Sequence, residues 1–349
     1  MLIVRLGAVG DVVRTLPAAS ALRGAFAGAH LAWLVEPASR TAVEGQPWVD
    51  EVLVFPRGEI EALAWRGRLV AAAGVLLRFL AALRRHRFDL VIDFHSILKS
   101  GVLALLSGAP LRAGYAPPFG REGSWLFATA RARVGPRKVS RFERNRALLE
   151  LVAPGARPAA RPFRVDADAR ARFAAALGAG ASPIALQPGT SAATPHKRWP
   201  AERFAAVARA LRDEHGVESI VLFGPTRGER ALAQAIADAS EGAARLAPAT
   251  GSLGELAALL ACCRLYVGGD TGPMHVASLV GTPVVQILGP TDPIENAPWA
   301  ETPARTVREA VACSPCRRGC SAAPCMRRVA PEAVIEAARA LLAIGRGGC

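Results

Sequence analysis

The feature that most constrains this chain is an alternation. Short apolar runs rich in Val, Ile and Leu recur along it, separated by Ala-, Leu- and Arg-rich stretches with helical spacing. Strands are expected at 2–6, 31–35, 52–55 and 90–94, and again at 184–187, 219–223, 265–267 and 284–288; helices are expected at 15–23, 70–85, 201–215 and 253–261. Strands apolar throughout and separated by helices belong to parallel sheets covered on both faces. Each half therefore reads as a doubly wound α/β domain. Between them, residues 153–162 carry Pro154, Pro158 and Pro162, which forbid both a helix and a central strand. The boundary is placed near residue 160, giving domains 1–160 and 161–349. A last helix is expected over 331–344, with Pro331 at its first position and Gly345 past its end. Two such domains facing a central cleft would bind ligands at the carboxyl ends of their strands.

With 349 residues, 51% of them hydrophobic and 21% charged, the chain can bury two cores. Its apolar runs fall well short of the ~20 residues of a membrane span, and it opens directly on a strand-like segment. A cytoplasmic location with reduced or metal-bound cysteines is the expectation. The net charge of +14 raises nucleic acid as a partner, but the lysines number three and the arginines are scattered. No nucleic-acid partner is expected; smaller polyanions and anionic lipid fit better. Residues 69–83 read as either a membrane-surface helix or a core-packed one.

The first strand runs into Gly7-Ala-Val-Gly10-Asp11-Val-Val-Arg14. Strand, glycine turn and helix start suggest a dinucleotide fingerprint, with Glu36 near the ribose position, which opens a nicotinamide oxidoreductase reading. However, the third glycine is missing, and Asp11 puts a carboxylate where a pyrophosphate would sit. Asp11 is then either an N-cap or a general base for a substrate hydroxyl. In the second half, Gly269-Asp270-Thr271-Gly272-Pro273-Met274-His275 follows a strand and opens a helix, so the Thr271 and Gly272 amides form an anion site that Asp270 and His275 can reach. Upstream, Gly189-Thr190-Ser191 and Lys197-Arg-Trp-Pro200 suit a diphosphate, with Lys197 neutralising a leaving group. Glu229 takes a ribose diol or simply lies in the first turn of a helix.

These residues resemble glycosyltransferase family 9, the lipopolysaccharide heptosyltransferases. The likeness rests on Gly10-Asp-Val-Val-Arg-Thr-Leu-Pro17, Leu90-Val-Ile-Asp-Phe-His95, Lys197-Arg-Trp-Pro200, Gly269-Asp-Thr-Gly-Pro-Met-His-Val-Ala277 and Gly281-Thr-Pro283. It implies a GT-B fold, with the acceptor bound mainly by the N-terminal domain and ADP-heptose by the C-terminal one, and an inverting, metal-independent transfer of heptose from ADP-heptose to the inner core, onto Kdo or heptose linked to lipid A. The enzyme would work at the inner face of the inner membrane. By the same likeness Asp11 is the base. Lys197 and the amides at Thr271 and Gly272 hold the phosphates, joined by a hydroxyl of Thr190, Ser191 or Thr194. Glu229 binds ribose, Asp270 contacts heptose, and His275 lies beside the diphosphate. Gly251 stands where some relatives carry Met against the adenine. Arg14, Arg57, Lys99 and Arg121 are candidates for the acceptor's anionic groups, and a family 9 acceptor of another kind, glycan or protein, stays open. Cys313, Cys316, Cys320 and Cys325 resemble a cysteine cluster of relatives; four thiols there can hold a structural zinc or iron, or stay free, or pair as disulfides. Cys262 and Cys263 read as core, and Cys349 as inert.

Overall fold

The computed structural model describes residues 1–191, 194–316 and 319–344. Gly345 and Cys349 lie outside the described residues, as do Ala192 and Ala193 of the loop before Lys197. The chain divides into two compact units, Met1–Pro162 and Phe163–Cys349.

The first unit holds β1 (Leu2–Val4), β2 (Ala32–Val35), β3 (Glu51–Val54), β4 (Leu90–Asp93), β5 (Leu111–Tyr115) and β6 (Ala130–Ala132). Its described strands form one parallel sheet in the order β3-β2-β1-β4-β5-β6. The second unit holds β7 (Ile184–Gln187), β8 (Ser219–Val221), β9 (Ala244–Leu246), β10 (Leu265–Gly269), β11 (Val284–Ile287) and β12 (Ala304–Val307), in the order β12-β11-β10-β7-β8-β9 and again parallel. The central strands are buried on both faces, which is why they read as unbroken apolar runs. Leu2, Val4, Leu34 and Val91 belong to one core; Ile184, Leu186, Val267 and Val285 belong to the other. Each such side chain contributes about 1.5–3 kcal/mol on leaving water, so a charge at Val91 or Val267 would unfold its unit.

Both orders contain a reversal. In the first sheet the chain winds outward from β1 to β3, then returns to place β4 on β1's other side; in the second it does the same at β7 and β10. Loops leaving two such neighbouring strands diverge to opposite faces and open a crevice at the carboxyl edge. The segments that follow β1 and β4 carry Asp11 and His95, and those that follow β7 and β10 carry Lys197 and Asp270.

The helix Leu69–Arg85 packs one face on the core, as the second reading of its segment expects, and leaves another face exposed. Ala72, Val75 and Leu83 are buried with Leu76, Phe79 and Leu80 packed beside them, while Leu69, Val70 and Leu77 stay exposed. The final helix, Pro331–Ala343, buries Val334, Ala338 and Leu341 in the core of the second unit. Among the described residues no helix is long and apolar enough to cross a membrane.

Candidate functional site

Asp11 sits in the first turn of the short helix Val9–Val13, whose N-cap is Ala8, so the carboxylate is not the cap. What holds it is arginine. Among the described residues three guanidiniums reach it: Arg5 on Oδ2, Arg14 at 3.0 Å from Oδ1, and Arg141, also on Oδ1. Burial pushes the carboxyl up in pKa, but Arg5, Arg14 and Arg141 together outweigh it and hold Asp11 well below the ordinary carboxylate range. Arg14 is 6% exposed and thus serves Asp11 from inside the unit.

Beside this cluster stands a second one. Glu36 accepts from Lys99 at 2.5 Å and from Arg57 at 3.3 Å, so two expected acceptor-binding cations share one carboxylate. Burial opposes the charge on Glu36, but its bond to Lys99 and the two cations lower its pKa on balance. His95 lies within electrostatic reach of both groups. The Leu6 amide donates to its Nδ1 at 3.3 Å, which puts the proton of the neutral ring on Nε2. Burial, then Arg5 and Lys99, hold its pKa down at about 3, so near neutrality the ring is an uncharged donor. The loop that carries it is shaped by Asp93. That carboxylate accepts from the His95 and Ser96 amides, both at 2.9 Å, and from the Ser100 hydroxyl at 2.8 Å, while burial pushes its pKa up to about 6. Arg121 is exposed, its amide tied to the Ser96 carbonyl, and the structure does not bring its side chain to Asp11.

In the second unit Lys197 Nζ lies 3.1 Å from Asp270 Oδ2, and His275 Nε2 lies 3.6 Å from Oδ1 of the same carboxylate. His275 is 1% exposed, so it backs Asp270 from beneath. The helix Gly272–Leu279 follows, with Thr271 at its N-cap and Pro273 in its first turn. The Thr271 side chain makes no capping bond, which leaves the first-turn amides for an anion. Thr190 is buried, its hydroxyl donating to the Thr194 carbonyl at 3.0 Å and accepting from Arg198 at 3.1 Å. It braces the loop, whereas Ser191 is exposed and bonds the Thr194 hydroxyl at 2.9 Å.

Glu229 lies in the first turn of the helix Arg227–Ala239 and forms a capping box with Thr226. Its carboxylate also covers Gly224 beyond β8, where an added Cβ would stand 2.7 Å from Oε2 and push the Glu229 side chain aside. Gly251 donates its amide to Glu255 at 2.7 Å, ahead of the helix Leu253–Ala261. Both residues thus lie at the same carboxyl edge as Lys197, Glu229 at the start of the helix that follows β8 and Gly251 on the loop after β9.

Among the described residues no three His, Cys, Asp or Glu side chains form a metal-binding group. Cys325 is buried, its pKa raised by burial, with Cys313 and Cys316 near enough to add to that shift; Cys313 and Cys320 are exposed. As placed, the four thiols do not form a ligand set. Cys262 and Cys263 are buried. The residues that sequence reasoning passed over are Arg5, Arg141 and the tautomer of His95. Only Arg5 left a signal, as a lone charge at the end of an apolar strand.

A family model described as glycosyltransferase family 9 (heptosyltransferase) matches residues 76–326. The lipopolysaccharide heptosyltransferase 1 of Pseudomonas aeruginosa is 28% identical over 302 residues, 84% of this chain and 79% of that protein. The lipooligosaccharide heptosyltransferase 2 of Campylobacter jejuni is 32% identical over 166 residues, and there the match spans about half of each protein, 46% of this chain and 50% of that one. The structure of the Escherichia coli heptosyltransferase WaaC with ADP-2-deoxy-2-fluoro heptose covers 97% of this chain and 98% of its own, with a TM-score of 0.75 at 22% identity, a likeness of fold. That fold is the GT-B arrangement of two doubly wound domains. The chain belongs to glycosyltransferase family 9, the heptosyltransferases.

Proposed function

We propose that this glycosyltransferase moves heptose from ADP-heptose to a hydroxyl of the lipopolysaccharide inner core, Kdo or heptose on lipid A, with inversion at the anomeric carbon. The observation that carries this reading is the ionised, half-buried Asp11 at the reversal of the first sheet. In the step, an Asp11 oxygen takes the acceptor proton while the acceptor oxygen bonds the anomeric carbon and the bond to the β-phosphate oxygen breaks. ADP leaves with that electron pair. Lys197 and the first-turn amides of the helix Gly272–Leu279 stabilise its charge in place of a divalent ion, so no metal is required. Asp270, held by Lys197 and His275, accepts from heptose hydroxyls. The free edge of Glu229 takes the ribose, and Gly251 offers backbone to the adenine. Arg57 and Lys99 meet the acceptor's anionic groups.

Glu36 argues against the nicotinamide reading. The carboxylate a dinucleotide ribose would need is already taken by Lys99 and Arg57. A peripheral position on the inner face of the inner membrane is part of the proposal, supported by Trp65, Leu69 and Val70, which are 89%, 66% and 88% exposed beside Arg66 and Arg68. The test is transfer from ADP-heptose to a panel of truncated core acceptors. Failure with every acceptor, alongside tight retention on NAD, would replace this reading with the oxidoreductase one.

A further inference from the structure

To accept a proton, Asp11 must expose a lone pair and regain basicity, yet three guanidiniums hold it. Two of them are built in. The Arg5 side chain is 5% exposed and also donates to the Phe94 carbonyl at 2.7 Å; the Arg14 side chain is 7% exposed and also donates to the Gly10 carbonyl at 3.1 Å. Arg141 differs. Its side chain is 31% exposed, and it reaches across from the first position of the helix Arg141–Val152, whose start is capped by Ser140. Positive charge is also in excess here. Three guanidiniums face one carboxylate, and Arg144, stacked over Tyr115 and Phe119, adds a fourth nearby.

We infer that Arg141 is a removable latch on the base, drawn off Asp11 Oδ1 by an acceptor that carries an anionic group beside its reacting hydroxyl. A guanidinium leaves one carboxylate readily only for another anion that fits its fork, a carboxylate or a phosphate. The exchange keeps Arg141 paired, leaves Oδ1 with Arg14 alone so that one of its lone pairs opens to the acceptor, and removes one of three cations from Asp11. Removal of an opposite charge at hydrogen-bond range raises a carboxyl pKa by about 1–3 units, so basicity returns as the acceptor seats. A neutral acceptor of the same shape binds but leaves the latch shut. Discrimination by charge is therefore expressed in kcat, and Arg141 acts as a positioning residue.

The inference rests on the acceptor reading above, and one experiment separates the two. Wild type, Arg141→Ala and Arg141→Lys are assayed with an inner-core fragment whose carboxylate neighbours the attacked hydroxyl, and with its carboxamide counterpart. Wild type should turn over the acid about tenfold or more faster than the amide, the size of one restored pKa unit. Arg141→Ala should bring the two kcat values to within about threefold, the expected remainder once the charge switch is gone. Its acid limb of kcat/KM should also move upward, because among the described residues Asp11 is then paired with Arg5 and Arg14 alone, with Arg144 held over Tyr115 and Phe119 and His95 neutral beside them. Arg141→Lys should keep the wild-type preference. Equal loss with both acceptors and an unmoved pH profile would reduce Arg141 to a structural role and overturn the latch. No wild-type turnover of the acid would sink the acceptor reading itself. If Arg141→Ala does not fold, Arg141→Gln carries the same comparison.

Discussion

Lys197 Nζ and Asp270 Oδ2 meet at 3.1 Å across the reversal between β7 and β10, 73 residues apart in sequence. The pair is mostly buried, the lysine side chain 21% exposed and the aspartate 7%, so it orders the crevice where a diphosphate would lie. Lys197→Ala should lower kcat/KM for the donor by roughly 10- to 100-fold, the worth of one charge-assisted contact, and leave the acceptor KM alone. Initial rates with each substrate varied in turn will show it. A change confined to the acceptor KM would remove the donor from the second unit.

Asp11→Asn should lose about 10²–10⁴ in kcat, the usual share of a positioned base, with donor affinity retained. It should also cost stability, roughly 3 kcal/mol, because Arg5 and Arg14 stay buried without their anion. Urea unfolding together with donor titration checks both halves. Unimpaired turnover would take Asp11 out of the mechanism.

His95 and Asp93 predict an unusual response to acid. The folded His95, at about 3, stays neutral where the unfolded chain, at 6.5, is protonated, so its contribution is full above pH 6.5 and is lost as pH falls toward 3. Asp93 works the other way. Folded at about 6 against 3.8 unfolded, it holds a proton that the unfolded chain releases, so stability gains as pH falls through about 6. Each effect is on the order of 3–5 kcal/mol, and over pH 4–6 they largely offset one another. His95→Gln should remove the loss and leave the gain, so that melting temperature falls less steeply on acidification than in wild type, or rises. Parallel melting curves for the two proteins would contradict it.

The exposed Trp65 and Val70, with Arg66 and Arg68 between them, should dock on anionic lipid. A Trp65→Ser, Val70→Ser variant should cosediment severalfold less with vesicles containing anionic phospholipid, while its turnover of a short water-soluble acceptor stays at the wild-type rate. Undiminished vesicle binding would move the membrane contact elsewhere.

The sequence exposed most of the central strands and hid three of the four edges. The segments 184–187, 201–215 and 253–261 coincide with observed elements, because apolar β-branched runs and amphipathic helices carry strong periodicity. The expectation lacked β5, β6, β9 and β12. Three of those are edge strands, and every one carries arginine (Arg112, Arg131, Arg245, Arg305), since a strand with one free side need not be apolar. The site divides in the same way. Asp11, Lys197 and Asp270 stand out as candidates because each lies in a turn of unusual chemistry, whereas Arg141 looks like any other arginine in an arginine-rich chain. Its partner lies 130 residues away, and nothing local marks that pairing.

The most direct test of the whole account is one reaction: purified protein, ADP-heptose and a Kdo-terminated lipid A acceptor in EDTA, with the product analysed by mass spectrometry and NMR. One heptosyl linkage should form per ADP released, with anomeric configuration opposite to that of the donor and a rate untouched by the chelator. A retained configuration, a rate abolished by EDTA in folded protein, or ADP release without any new linkage across the acceptor series would contradict it.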